Sequence, residues 1–197
     1  MKFEIITPEK KKLWEKKLLM LEKFSGLKAY KEIEYLKLYT DKNVLLECMF
    51  IEEKNNFFFM PYLKKKINLD GFKDFYDIES PYGYSGPISN SEDQTFLNNA
   101  IELLKEYCLK KNIIACLIRF DPFTNLHGKI NDNNLNISYE GDIVYKTLNL
   151  ENNISEDYNS SIKNKILKAK KNDLSVSISD NYQDFLTFIN LYLHFMK

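Results

Sequence analysis

The segment from Asp77 to Ile88, DIESPYGYSGPI, constrains this chain more than any other, because it interrupts regular hydrophobic patterning with residues that fix the backbone. It holds two of the six glycines and two of the five prolines. Pro81 and Pro87 set φ and remove donors, while Gly83 and Gly86 admit positive φ or close approach by another backbone. The segment reads as a shaped loop. Tyr82 and Tyr84 add flat rings with polar tips, suited to a sugar, a base or a polar small molecule; the structural alternative is that these rings plug the edge of the core.

Upstream, Thr7 and Pro8 precede a helical stripe of Trp14, Leu18, Leu21 and Phe24 that Gly26 stops, and a second short helix is expected near Tyr30 to Tyr39, with Ile33, Leu36 and Tyr39 inward. The period then changes. Val44 to Phe50 and Asn56 to Ile67 read as a hairpin, with Pro61 bending its strand or placing it at an edge. After the loop, Ser91 and Gln94 suggest a capping box for a helix bearing Phe96, Leu97, Ala100, Ile101, Leu104 and Cys108. The unbroken apolar run Ile113 to Phe120 then predicts a strand covered on both faces at the centre of the sheet, with Arg119 at its carboxyl end.

Asp121 to Asn125 is a turn, and Asp142 to Leu150 reads as another strand. Ser155 can cap a helix with Tyr158, Ile162, Ile166 and Ala169 inward, and with Lys163, Lys165, Lys168, Lys170 and Lys171 on its other faces. A short strand at Leu174 to Ile178 and an apolar helix from Tyr182 to Lys197 complete the order. Helices followed by alternating β and α elements indicate a mixed α/β domain.

The 197 residues can bury a real core, and 44% apolar with 14% aromatic residues is a globular composition. Basic and acidic residues balance at 28 each, so a polyanion or membrane would have to be met by a local patch. The odd set of Cys48, Cys108 and Cys116, each in an apolar run, predicts buried free thiols, and together with His127 and His194 lacks the spacing of a metal-ligand set. The charged N-terminus does not resemble a signal peptide, and no apolar run is long enough to span a bilayer, so a cytoplasmic chain is expected.

The ordered set DxxSPYGYxGP, the strand ending RFDPF, the run KNKILKAKKNDLSV and the helix FLTFINLYLHFMK resembles the Fem-type (FemXAB) acyltransferases of the GNAT superfamily, in the branch described as acetyltransferase-like proteins of cell-surface glycan synthesis. The resemblance covers nearly the whole chain. It implies a GNAT-like N-terminal domain over 1–178 and, at 179–197, the opening helix of a second, truncated GNAT-like domain. Tyr82, Gly83, Tyr84, Gly86 and Arg119 would then contact substrate, and Lys163, Lys165 and Lys168 a phosphate.

The resemblance further implies acetyl or aminoacyl transfer to an amino sugar or peptide of an envelope polymer. The acyl donor would be acyl-CoA or aminoacyl-tRNA, with no bound cofactor, and the acceptor a nucleotide- or lipid-linked amino sugar. A second GNAT-like domain or chain would complete the cleft, and nucleic acid would enter only as the aminoacyl-tRNA. Three departures stand out. Lys163 replaces a family arginine and loses its planar fork, Asp121 replaces a family histidine, and the acyl-CoA pyrophosphate turn is absent. No residue is assigned as catalytic. A non-catalytic module holding a glycan precursor or partner protein, a solvated lysine face, an RNA contact through that face, and an ion pair between Arg119 and Asp121 or Asp77 remain open as alternatives.

Overall fold

The computed structural model describes residues 1–21, 23, 28–130, 135–145 and 158–196. The chain forms two compact units, Met1–Ile143 and Val144–Lys197. The first is built on a six-stranded mixed sheet in the order β1-β2-β3-β4-β6, with the two-residue β5 paired to β3. The strands are β1 (Lys2–Ile6), β2 (Val44–Glu53), β3 (Asn56–Lys66), β4 (Tyr76–Glu79), β5 (Ile88–Ser89) and β6 (Ile113–Leu117). All pairings are antiparallel except β4 with β6, which run parallel across a register shift between Tyr76 and Asp77.

Alternation along β2 and β3 builds two cores. Met49, Ile51, Phe58, Met60 and Tyr62 point to one face, where Phe96, Leu97, Ala100, Ile101 and Leu104 of α3 (Gln94–Lys110) cover them. Cys48, Phe50, Phe59 and Leu63 point to the other, against Trp14 and Leu18 of α1 (Lys11–Leu19) and Ile33 and Leu36 of α2 (Ile33–Leu36). Period-2 strands carrying apolar residues on both faces explain the near-continuous runs in the sequence. Each fully buried Phe or Leu contributes about 1.5–3 kcal/mol, so the central hairpin is the energetic centre of the unit.

Several expectations need correction. Residues 2–6 form β1, a strand absent from the sequence reading, which began its elements with the helix after Thr7. The β3 strand is central, yet it tolerates Pro61 because β4 covers only Leu63–Lys66 and β5 only Phe58–Phe59, so the stretch around Pro61 has no strand partner on that side. Residues 113–117 lie at an end of the sheet, paired only with β4 among the described residues, and residues 114–117 are exposed. An unbroken apolar run cannot by itself separate a central from an edge strand.

The cap of α3 is Asp93, which accepts from Thr95 N at 2.9 Å, while Ser91 Oγ accepts from Asp93 N one step earlier. Cys48 is buried, Cys108 half-buried and Cys116 exposed, all three free, so burial of every thiol does not hold.

In the second unit, α4 (Ser160–Lys171) is capped by Asn159, whose side chain accepts from Ile162 N, and Tyr158 lies before the helix; Ser155 lies outside the described residues. The expected strand at 174–178 does not form, and 142–145 carries no regular structure, the rest of that expected strand and Phe24 and Gly26 lying outside the described residues. The apolar helix is present as α5 (Tyr182–Phe195), capped by Asn181. No described helix is long and apolar enough to cross a membrane.

Candidate functional site

The two parallel strands end at the same edge of the sheet, and the loop and the arginine singled out from the sequence leave from those ends. Chain leaving β4 enters Ser80–Pro87; chain leaving β6 reaches Arg119 two residues later. Carboxyl ends of parallel strands are where an open α/β sheet presents groups to a ligand. Backbone and side chain knit the two exits together. Ser80 N donates to Leu117 O at 2.9 Å, Arg119 N donates to Ser80 Oγ at 3.1 Å, and the Arg119 guanidinium donates to Ser80 O at 2.8 Å.

Gly86 presses against this turn: a Cβ there would overlap the Arg119 carbonyl group and stand 2.7 Å from its carbon, a spacing no side chain tolerates. The glycine lets the loop lie flat on the strand exit. Gly83 serves differently, with φ of +82° and a notional Cβ 2.5 Å from the Tyr30 ring.

Beneath the loop, Lys31 and Asp121 are both fully buried and paired at 3.4 Å. Lys31 Nζ also donates to Tyr84 O at 2.9 Å, and Asp121 Oδ1 accepts from Phe123 N at 3.0 Å. The pair thus ties the segment before α2 and the tyrosine loop to the DPFTN turn. Burial is the larger influence on Lys31 and lowers its pKa, with Asp121 opposing. The alternative of an ion pair between Arg119 and Asp121 or Asp77 does not hold: Asp121 is paired with Lys31, and the Arg119 guanidinium is bonded to Ser80 O. Asp77 Oδ1, at the register shift between β4 and β6, is a buried acceptor without a hydrogen-bond partner.

The loop tyrosines do not plug the core. Tyr82 is 70% exposed and Tyr84 half-buried, and both join rings from the short helices ahead of β2. Centroid separations of 5.7 Å for Tyr84–Tyr30, 5.1 Å for Tyr30–Tyr35, 5.5 Å for Tyr35–Tyr39 and 6.3 Å for Tyr39–Tyr82 make one cluster. Tyr35 Oη lies 3.0 Å from Tyr39 Oη and donates to Tyr82 O at 3.2 Å. Burial first, then the bond to Tyr39, raises the Tyr35 pKa above the ordinary phenol, so the hydroxyl stays protonated at neutral pH.

Sequence reasoning missed Tyr30, Tyr35 and Lys31. Tyr30 and Tyr35 fell inside a stretch read as a helix with an apolar inward face, and a lysine among charged neighbours gives no sign of burial.

Tyr82, Gly83, Tyr84, Gly86 and Arg119 are therefore brought together in the first unit. Lys163, Lys165 and Lys168 belong to the second, where they lie exposed along α4 with Ile162, Ile166 and Leu167 also exposed. Among the described residues, no group of three or more His, Cys, Asp or Glu is arranged to hold a metal ion. A hollow of about 520 Å³ lies between α1 and Lys28–Glu34. No family profile, curated protein or solved structure matches the chain.

Proposed function

We propose that this chain is the N-terminal part of a Fem-type, GNAT-like N-acyltransferase that moves an acetyl or aminoacyl group to an amino sugar or peptide of a cell-envelope polymer, and that it turns over slowly or not at all without a second GNAT-like domain. The observation that carries the reading is the joining of the SPYGYSGP loop to the RF turn through Gly86 and Ser80, at the carboxyl ends of the parallel pair. Those are the two motifs that resemble the family, and their contact makes one wall of an acceptor site. Arg119 retains donors beyond the one given to Ser80 O, enough to hold a phosphate or carboxylate. Amine attack on a thioester or ester needs a positioned acceptor and a backbone donor for the oxyanion more than a dedicated nucleophile.

A second reading, a non-catalytic module that binds a glycan precursor, is favoured by one specific observation. Two titratable groups beneath the loop are already committed: Asp121 to Lys31 and Tyr35 to its neighbours. Neither is free to take a proton from an amine.

The test is a transfer assay by mass spectrometry, offering acetyl-CoA or aminoacyl-tRNA together with UDP-linked amino sugars, with the chain alone and with a Fem-type second domain added. The reading expects transfer to appear or rise on that addition, and to fall at least tenfold in Arg119→Ala. Acceptor binding without transfer under either condition favours the module, and no acceptor binding contradicts both.

A further inference from the structure

We infer that the exposed ring of Tyr82, backed by the half-buried ring of Tyr39, forms a stacking platform for a pyranose ring. This deepens the proposed function and rests on it for the sugar being the acceptor. The platform itself follows from the rings. Tyr82 and Tyr39 are inclined by only 35° at 6.3 Å, the flattest junction in the five-ring cluster, whereas Tyr30 meets Tyr84 at 81° and Tyr35 at 87°, and Tyr35 meets Tyr39 at 62°. Edge-to-face contacts lock the inner rings, and Tyr82 is left as the exposed end of the cluster with Tyr39 tilted beside it.

The backbone is shaped to keep that platform in place. Gly83, with positive φ, lets the loop close on Tyr30; Ser85 Oγ and Tyr35 Oη both bond to Tyr82 O; and Lys31 holds Tyr84 O from below. A ring left 70% exposed on so constrained a backbone is an aromatic surface held ready with little conformational freedom left to lose on binding.

The chemistry of the platform selects the occupant. A pyranose has an apolar C–H face and a rim of hydroxyls, which match a tyrosine face bordered by phenol hydroxyls such as the Tyr35–Tyr39 pair. An apolar peptide helix needs a groove, whereas Tyr82 stands 70% exposed on the loop. Arg119, from the exit of β6, is bonded to Ser80 two residues before Tyr82 and adds a cation beside the loop for a sugar carrying phosphate.

Isothermal titration of the intact chain with chitotriose, UDP-N-acetylglucosamine and UMP, without acyl donor, tests this. The expected result is binding of both saccharides, weakened about tenfold by Tyr82→Ala, as fits the loss of one stacking ring, and kept by Tyr82→Phe. UMP is expected to bind much more weakly than the sugar nucleotide. Arg119→Ala is expected to weaken UDP-N-acetylglucosamine and leave chitotriose unchanged. Unchanged saccharide affinity in Tyr82→Ala, no saccharide binding at all, or UMP binding as tightly as the sugar nucleotide overturns the inference. Transfer that ignores Tyr82→Ala overturns the platform alone, whereas saccharide binding without transfer under any donor overturns the catalytic reading alone.

Discussion

Gly86 and Gly71 are both loop glycines, but only one is needed for space. A Cβ at Gly86 would collide with the Arg119 carbonyl, whereas Gly71 has nothing within 4 Å and only its φ of +86° to favour glycine. Gly86→Ala is expected to lower stability by about 2–4 kcal/mol and Gly71→Ala by about 1 kcal/mol, read from urea unfolding. Equal costs would mean that the loop does not rest on the strand exit as described. The buried Lys31–Asp121 pair makes a sharper residue-scale case. Lys31→Met leaves a carboxylate buried without its cation and is expected to cost about 3–5 kcal/mol, most of it recovered in Lys31→Met/Asp121→Leu. A double variant no better than the single one would show that the pair does more than neutralise itself.

At the scale of elements, β2, β3 and α3 are joined by a half-buried polar knot at the border of the apolar core. Tyr62 Oη donates to Glu47 Oε2 at 2.7 Å, and Tyr107 Oη donates to the same oxygen at 3.1 Å. Burial is the first cause holding both phenols neutral beyond their ordinary range, Tyr107 being pushed up to about 12 and Tyr62 further. A folded-state pKa above the unfolded value of about 10 means that this stabilisation is intact below pH 10 and is lost as pH rises toward the folded value. Absorbance titration of the 13 tyrosines is expected to show a late class that ionises together with loss of far-UV dichroism. Ionisation of all tyrosines in one step near pH 10, with the fold intact, would contradict the knot.

The same elements show what could be read from residues alone. The hairpin and α3 were legible because their periods of two and 3.6 persist over ten or more residues. The strand β1 was not, since KFEII alternates over only five residues, and β6 was placed at the centre because apolar composition does not reveal pairing. Of the site, the loop and Arg119 were visible through turn chemistry and strand position. The tyrosines supporting them come from a segment more than forty residues earlier, and only tertiary packing brings Tyr30 and Tyr35 beneath Gly83.

Across the whole molecule, charge sums to zero, yet α4 carries five lysines with no acid between Ser160 and Asn172. If aminoacyl-tRNA is the donor, affinity for tRNA is expected to fall steeply with salt, and Lys165→Ala/Lys168→Ala is expected to reduce the salt slope by about two. An unchanged slope removes this helix from donor binding and leaves the account of the loop untouched.

On the proposed function, the exits of β4 and β6 form one wall of an acceptor site. Backbone amide shifts recorded during titration with a UDP-linked amino sugar test it most directly. The largest changes are expected at Tyr82, Gly83, Gly86 and Arg119, saturating together with one affinity. Saturable binding that moves residues of the α1 hollow or of α4, while those four amides stay still, would contradict it.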